Sequence, residues 1–286
     1  MLRPIIDEHA APEGLEEIIV AKDKDVERVV RIYQELDVEE LNNKLLWNGI
    51  REYYSRKKIP IITSAQIDLV LQRVIQETTT EQTNHYITGV YITHLIQESY
   101  TAGNNNFALN TKDTTIDDLA YRLAGTTENP ITLTIQGNIG NDCGSYGEHQ
   151  TITVQGNTGG WCGWGMKQSH VTINGNTGYN CGRNMKQSQL IINGNTGDWC
   201  GRGMEQSQLV INGNTGDWCG WRMEHSRLVI NGNTGNDCGK HATDSTISTN
   251  NKETYKKIRQ NILKGNKTFL YDNKGNIMEQ HTCDQQ

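Results

Sequence analysis

The sequence predicts a parallel β-helix, a solenoid in which one short unit is stacked into a rod. Cysteine recurs six times at a spacing of nineteen residues, and glycines take matching places around each copy. The complete unit reads GNTGDWCGRGMEQSQLVIN at 194–212. Self-similarity at a fixed short period is the signature of a solenoid. The six cysteines are Cys143, Cys162, Cys181, Cys200, Cys219 and Cys238.

Each unit is predicted to be a β-coil because its last segment alternates apolar and polar residues. Leu190 and Ile192 are two residues apart, as are Leu209 and Ile211 one unit later. Side chains two apart point to the same face of a strand, and we expect that face to be the interior. At the usual spacing of about 4.8 Å, six coils would make a rod about 29 Å long.

Stacking also explains the other recurring residues. Cysteine, and the methionine that follows it by four residues, are apolar and adaptable, which suits a narrow interior. An asparagine stands between two glycines, where a tight turn favours positive φ and the amide can bond its own copy one coil away. We therefore expect an inward cysteine and methionine core with asparagine ladders at the corners. The asparagines are Asn157, Asn176, Asn195, Asn214 and Asn233.

Before the repeat, the apolar period changes to 3.6 residues, which indicates a small all-α domain. Thr63 with Gln66 forms a capping box ahead of one of its helices. The segment TAGNNNFALNTKD at 101–113 is predicted to be a polar, mobile linker before the last helix. The predicted helices cover 26–33, 41–50, 67–74, 87–95 and 116–123.

After Cys238 the repeat decays, and the sequence predicts a helix over 252–263 followed by a hairpin at 273–275. Open solenoid ends would offer unpaired strands to other molecules, so we assign both flanks the role of caps. The predicted domains are a helical domain over 1–128, a β-helix domain over 129–249 and a C-terminal cap over 250–286.

Composition narrows the classes of function. Net charge is −6, and residues 133–248 hold seven Lys or Arg against eight acids, so no basic stripe exists for nucleic acid. No apolar run is long enough to span a bilayer, and the first residues lack the regions of a signal peptide. With seven cysteines, six of them predicted to be interior, we expect a cytoplasmic protein that binds neither nucleic acid nor membranes.

The repeat shows no pattern typical of catalysis. Its histidines do not recur in adjacent coils, so they form no ladder and offer no recurring nucleophile and base. A linear thiol column lacks the tetrahedral geometry of a Cys₄ site, and no CxxC pair occurs. We therefore expect no enzymatic activity, no catalytic residue, no cofactor and no metal.

The outside of the solenoid is predicted to carry an interaction surface. Tryptophans that directly precede cysteines should point outward, and tryptophan is enriched where proteins meet. An apolar outward column on later strands adds to the surface. We expect a protein partner or a second copy of the chain, with sugar stacking as an alternative. The surface consists of Trp161, Trp199, Trp218, Ile191, Val210 and Val229.

The motif GNTGDWCG resembles the glycine-rich (GXGXG) repeat of the right-handed β-helix that occurs in glutamate synthase large subunits and in one of the subunits of formylmethanofuran dehydrogenase. The resemblance covers 137–239 and implies right-handed coils. In the glutamate synthase relatives the domain looks like a scaffold that spaces catalytic domains, without catalytic residues of its own. Three functions stay open: a scaffold, a non-catalytic subunit of such an oxidoreductase complex, and a carbohydrate-binding module.

Overall fold

The protein is a parallel β-solenoid with helices at its N-terminal end and a helix with a hairpin at its C-terminal end. The computed structural model describes residues 23–35, 57, 59–77, 85–112, 114–263 and 265–283. The predicted helix over 41–50 lies outside these residues. No helix within them is long and apolar enough to cross a membrane. The described helices are α1 (Lys24–Gln34), α2 (Ser64–Glu77), α3 (His85–Thr101) and α4 (Lys252–Asn261).

One sheet runs along the solenoid, with its strands in chain order. The described strands are β1 (Asn106–Asn110), β2 (Ile131–Gln136), β3 (Gln150–Gln155), β4 (His170–Ile173), β5 (Gln189–Ile192), β6 (Gln208–Ile211), β7 (Arg227–Ile230), β8 (Thr246–Thr249), β9 (Lys267–Tyr271) and β10 (Ile277–Thr282). Successive strands from β1 to β9 are parallel, whereas β10 is antiparallel to β9. Leu190 pairs with Leu209, and Leu209 with Leu228. Equivalent side chains therefore stack in columns.

The solenoid has about seven turns, not the predicted six, because a coil without cysteine precedes the first repeat. The Gly144 N–H donates to the Leu119 carbonyl oxygen at 3.1 Å. One coil later, the Gly163 N–H donates to that of Cys143 at 2.8 Å. Leu119 therefore occupies the cysteine column, and Leu123, four residues on, occupies the methionine column. Both leucines are fully buried.

The predicted helix over 116–123 is wrong, since these residues form that first coil. Leu119 and Leu123 are four residues apart, as cysteine and methionine are in most of the repeats, and the same spacing fits one face of a helix. The backbone excludes a helix here, because Asp118 has a φ of 57°. The linker predicted over 101–113 is also wrong, because it contains β1.

The interior is filled by columns of like side chains. Cys200, Met204 and Leu209 are 0% exposed. A serine column lies among them, in which the Ser207 Oγ accepts the Ser188 N–H at 3.1 Å and donates to a backbone carbonyl of its own coil at 2.7 Å. Buried hydroxyls of this kind are thus fully paired. The core is a stack of apolar layers joined by hydrogen-bonded ladders.

The asparagine ladder at the corner of the coil is confirmed. The Asn195 N–H donates to the Asn176 Oδ1 at 2.8 Å, and the Asn214 N–H donates to the Asn195 Oδ1 at 2.8 Å. Each amide oxygen thus supplies an acceptor for the next coil's backbone. This arrangement ties successive turns together outside the main sheet.

The N-terminal helices begin at side-chain caps. The Asp23 Oδ1 accepts the N–H of Asp25 at 3.0 Å and that of Val26 at 3.3 Å. The predicted capping box is confirmed: the Thr63 N–H donates to the Gln66 Oε1 at 2.8 Å, and the Gln66 N–H donates to the Thr63 Oγ1 at 3.3 Å.

These helices cover the first coil of the solenoid. On α2, the Asp68 Oδ1 accepts the Asn110 N–H of β1 at 2.8 Å, and the Gln72 amide donates to the Asn110 carbonyl. On α3, Gln97 bonds both backbone groups of Ala124, at 3.0 and 3.1 Å. A first strand satisfied in this way offers few free backbone groups to another chain. The helical cap therefore lies over the end of the rod.

The C-terminal cap contains the predicted helix and hairpin. Asn251 caps α4 by accepting the Thr254 N–H at 3.0 Å. The Thr254 Oγ1 donates to the Gly232 carbonyl at 3.0 Å, and the Lys257 Nζ to the Thr234 carbonyl at 2.9 Å, which fastens the helix to the last repeat. After α4, β9 extends the sheet and β10 folds back along it.

Candidate interaction surface

One outward column of the solenoid is built from residues in the left-handed backbone region. The residue before each inward cysteine has a φ between 53° and 63°. Bulky L residues seldom adopt such angles. The stacked coils impose the conformation through hydrogen bonds, and the Trp199 N–H donates to the Asp217 carbonyl at 2.9 Å. The column consists of Asp142, Trp161, Asn180, Trp199, Trp218 and Asp237.

The three tryptophans of this column form two aromatic clusters with two more, Trp164 and Trp221, that follow their cysteines by two residues. Trp199 and Trp218 are stacked, with ring centroids 4.4 Å apart and planes at 14°. Trp221 meets Trp199 edge-on at 5.8 Å. Nearer the N-terminal end, the centroids of Trp161 and Trp164 are 4.7 Å apart. All five are half-buried, so each keeps part of its surface exposed on the outside of the rod.

Three arginines lie over these rings, and a fourth, Arg122, lies over the neighbouring rings of Tyr121 and Tyr146. The Arg202 guanidinium is 4.6 Å from the centroids of both Trp199 and Trp221, and the Arg183 guanidinium is 5.6 Å from that of Trp161. These are cation–π distances. We call the five tryptophans and four arginines the aromatic–arginine surface. Its members are Trp161, Trp164, Trp199, Trp218, Trp221, Arg122, Arg183, Arg202 and Arg222.

The arginines were not predicted from the sequence. The available signal was that Arg183 and Arg202 each follow their cysteine by two residues, so that they occupy one column. A column that holds both tryptophan and arginine gives no periodic hydrophobic signal. Only the stacked geometry shows that both residue types form one surface.

The middle of this surface holds two unsatisfied polar atoms. Asn180 takes the tryptophan position between Trp161 and Trp199 and is 7% exposed. Its Oδ1 and the Arg183 Nε are buried without a hydrogen-bond partner among the described residues. Such atoms are rare, because an unpaired buried polar group is costly. A polar gap therefore separates the two aromatic clusters.

The predicted apolar column lies on another part of the coil. Ile191, Val210 and Val229 are neighbours on β5, β6 and β7, and each is half-buried. Thr172 and Ser248 continue the column toward the two ends. The structure thus places an aliphatic column on the sheet and the tryptophans on a turn, as two separate patches.

The cysteine column faces the interior. All six cysteines are at most 1% exposed. Burial raises the pKa of the Cys200 thiol and raises that of Cys181 to about 12, so these thiols stay protonated. Within the described ranges, no group of three or more His, Cys, Asp or Glu side chains could hold a metal ion. The column acts as a set of small apolar side chains.

A carboxyl cluster at the junction of the helical cap and the first coil was not predicted from the sequence. Asp118 is 7% exposed. Burial, with the charges of Asp142 and Asp117, raises its pKa to about 8. Burial also raises the pKa of Asp142, and burial with the Asp118 charge raises that of Tyr86 on α3 to about 12. Because a helix was predicted over 116–123, these carboxyl groups were not expected to share one column.

The stacked coils and their glycine frame define a glycine-rich parallel β-solenoid, which carries the aromatic–arginine surface on its outside. The family model described as GXGXG motif matches residues 94–284, more than half of the chain. The chain therefore belongs to the GXGXG motif family. Neither the curated proteins nor the solved structures compared with it gave a match.

Proposed function

We propose that this chain is a non-catalytic scaffold module that holds a protein partner, or a second copy of itself, on the outside of its solenoid. The aromatic–arginine surface carries the proposal. Coil stacking alone does not require tryptophan there, because Asn180 and Asp237 adopt the same backbone conformation as Trp199. Half-exposed tryptophans in one stripe are typical of protein interfaces.

Membership of the GXGXG motif family supports a scaffold in the manner of a glutamate synthase-like domain. The narrower form of the proposal is a cytoplasmic, non-catalytic subunit of a glutamate synthase-like or formylmethanofuran dehydrogenase-like oxidoreductase complex. The catalytic residues then belong to the partner. Genes for the missing catalytic domains beside this gene would support that form.

A carbohydrate-binding module is the other candidate, because tryptophan rings stack on sugars. The geometry favours it less. Trp199 and Trp218 cover one face of each other, and the Arg202 guanidinium lies 4.6 Å from the Trp199 centroid. Few ring faces are left for a sugar, whereas a protein surface can use ring edges and guanidinium groups together.

The test is the double substitution Trp199→Asn with Trp218→Asn. Asparagine is chosen because Asn180 occupies the same column with a φ of 58°, so the backbone is kept. We expect unchanged circular dichroism, but loss of self-assembly in size-exclusion chromatography or loss of the partner in affinity purification. Both measurements are made on the full chain.

The matched control is Gln187→Asn with Gln206→Asn. These exposed residues have φ values of 48° and 49°, so the control introduces the same residue at the same type of backbone without removing a tryptophan. The scaffold proposal would be contradicted if the tryptophan variant kept both its elution profile and its set of partners. Glycan binding by the native chain but not by the tryptophan variant would favour the carbohydrate-binding module.

A further inference from the structure

On the solenoid, the lysines and the arginines differ in whether a carboxylate lies beside them. Lysines on its coils have carboxylate partners: the Lys167 Nζ lies 2.6 Å from a Glu148 oxygen, and the Lys186 Nζ lies 2.6 Å from a Glu205 oxygen. The four guanidinium groups of the aromatic–arginine surface have none, and they donate no hydrogen bond to any other described residue. Their neighbours are aromatic rings and each other.

The nearest acidic column forms no ion pair with these arginines, and one oxygen of each of its carboxylates joins two coils instead. The Asp217 N–H donates to the Asp198 Oδ1 at 2.8 Å, and the Asn236 N–H donates to the Asp217 Oδ1 at 2.7 Å. These carboxylates therefore act as rungs of a ladder that joins the coils. The positive charge of the arginines stays uncompensated from within the described part of the chain.

The arginines also repel one another. Arg183 and Arg202 occupy the same column, one coil of about 4.8 Å apart. Burial, with the charges of Arg183 and Arg222, lowers the pKa of Arg202. The buried Arg183 Nε has no acceptor among the described residues. Like charges that act on one another in this way, partly shielded from water by rings, are held at an energetic cost that an external anion would relieve.

We infer that the aromatic–arginine surface binds an acidic peptide segment, whose carboxylates contact the arginines while its apolar side chains cover the tryptophans. This inference rests on the proposed function and names the chemistry of its partner. Guanidinium groups bind carboxylates in a planar, two-pronged geometry, and they do so best where rings exclude water.

An acidic peptide fits the surface better than a nucleic acid. The carboxylates of Asp198 and Asp217 lie next to the stacked tryptophans, and the whole chain carries a net charge of −6. A continuous polyphosphate would meet these negative charges along the column. A peptide can place its few carboxylates only at the arginines.

The test compares the double variant Arg183→Gln with Arg202→Gln against the native chain. The probe is a fluorescein-labelled short peptide of alternating Glu and Ala, followed by fluorescence anisotropy. We expect binding that weakens as salt is added, and an affinity about tenfold lower in the double variant, because two charge-assisted contacts are lost. The same peptide with Gln in place of Glu should not bind.

The matched control is Lys167→Gln with Lys186→Gln, which removes two charges that already have partners; peptide affinity should not change. Absence of peptide binding, equal losses in both variants, or tighter binding of an oligothymidylate of equal length would each overturn the inference. The experiments can reject the acidic partner without rejecting the scaffold. Loss of assembly only in the Trp199→Asn and Trp218→Asn variant, with peptide affinity unaffected by the arginine substitutions, would keep the scaffold and reject the acidic partner.

Discussion

At the scale of single residues, each position in a coil obeys one of two sets of demands. An inward residue such as Cys200 is fully buried between its copies in the two neighbouring coils, so its size and polarity must fit the interior. An outward residue such as Trp199 must adopt a positive φ, but the packing of the interior does not restrict the type of its side chain. Substitutions in the two kinds of column should therefore have different consequences.

Cys200→Asp should lower the free energy of unfolding by more than about 3 kcal/mol, because a charge would be buried without a partner. Cys200→Ala should cost far less, since it leaves only a small cavity. Urea denaturation of the variants gives both values. The inward placement would be contradicted if a thiol reagent modified the six column cysteines before Cys283, which is half-buried.

Asp118→Asn should change how stability depends on pH. Burial and the neighbouring carboxylates raise the folded-state pKa of Asp118 from 3.8 to about 8, so the folded chain holds this proton after the unfolded chain has lost it. Stability must then fall as pH rises from about 4 to about 8 and level off above that. In the variant, the free energy of unfolding should decrease less over this pH range. Urea denaturation at mildly acidic pH and above pH 8 would measure the difference.

The matched control for that experiment is Asp244→Asn, an exposed carboxyl group whose residue also has a positive φ, of 46°. Its pH profile should follow that of the native chain. Identical profiles for the native chain and the Asp118→Asn variant would show that Asp118 does not keep its proton in the folded state.

At the scale of elements, the contact between α3 and the first coil fixes the helical cap. Thr93 on α3 donates to the Gly89 carbonyl and accepts the Ala120 N–H, both at 2.7 Å. Gly89 faces the backbone of Asp117 so closely that any side chain would overlap its carbonyl oxygen. The helix therefore lies with its backbone directly against the coil.

Gly89→Ala should destabilise the chain by roughly 1–3 kcal/mol, because the helix must shift away from the coil. The sign is informative, since the same change within an exposed helix stabilises by roughly 0.5–1 kcal/mol. Thermal unfolding measures the difference. Glu98→Ala, on the exposed side of α3, is the control and should change the melting temperature little. A higher melting temperature for Gly89→Ala would mean that this contact is loose.

The repeat elements were predictable from sequence because their signal is local and recurs in every coil. Leu190 and Ile192 mark a strand, and Asn195 marks a corner, whichever coil is considered. The first coil was not predictable in this way. The spacing of Leu119 and Leu123 fits a helix and a solenoid coil equally well. Only the hydrogen bonds to the next coil show that these residues form a coil. The arginines were missed for a similar reason, because their lack of partners is a property of the assembled surface.

At the scale of the whole molecule, the solenoid is a stack whose two ends are finished differently. α2 and α3 cover the first coil, whereas β10 reverses direction and closes the sheet as an antiparallel strand. Between the ends, each coil contacts its neighbours through the same set of bonds. Stability should therefore be close to a sum over coils and their interfaces.

Deletion of residues 194–212 should yield a folded chain that lacks one coil. Asn193 would then be followed by Gly213, as it is now by Gly194, and every column would keep its register. Small-angle scattering should show a rod about 4.8 Å shorter, with unchanged circular dichroism. The control deletes 194–203 instead, which leaves only nine residues of this nineteen-residue coil, too few to complete a turn, and should abolish folding. Equal folding of both deletions would contradict a register set by the columns.

The left-handed turn column has a consequence for how such a protein can change over generations. Trp199, Asn180 and Asp237 share one backbone conformation, so a point mutation there alters the outer face without a new fold. Duplication of a coil would add one more row to that face. Under the proposed function, partner choice and architecture are thus inherited on separate sets of positions, and the outer face can change while the interior stays as it is.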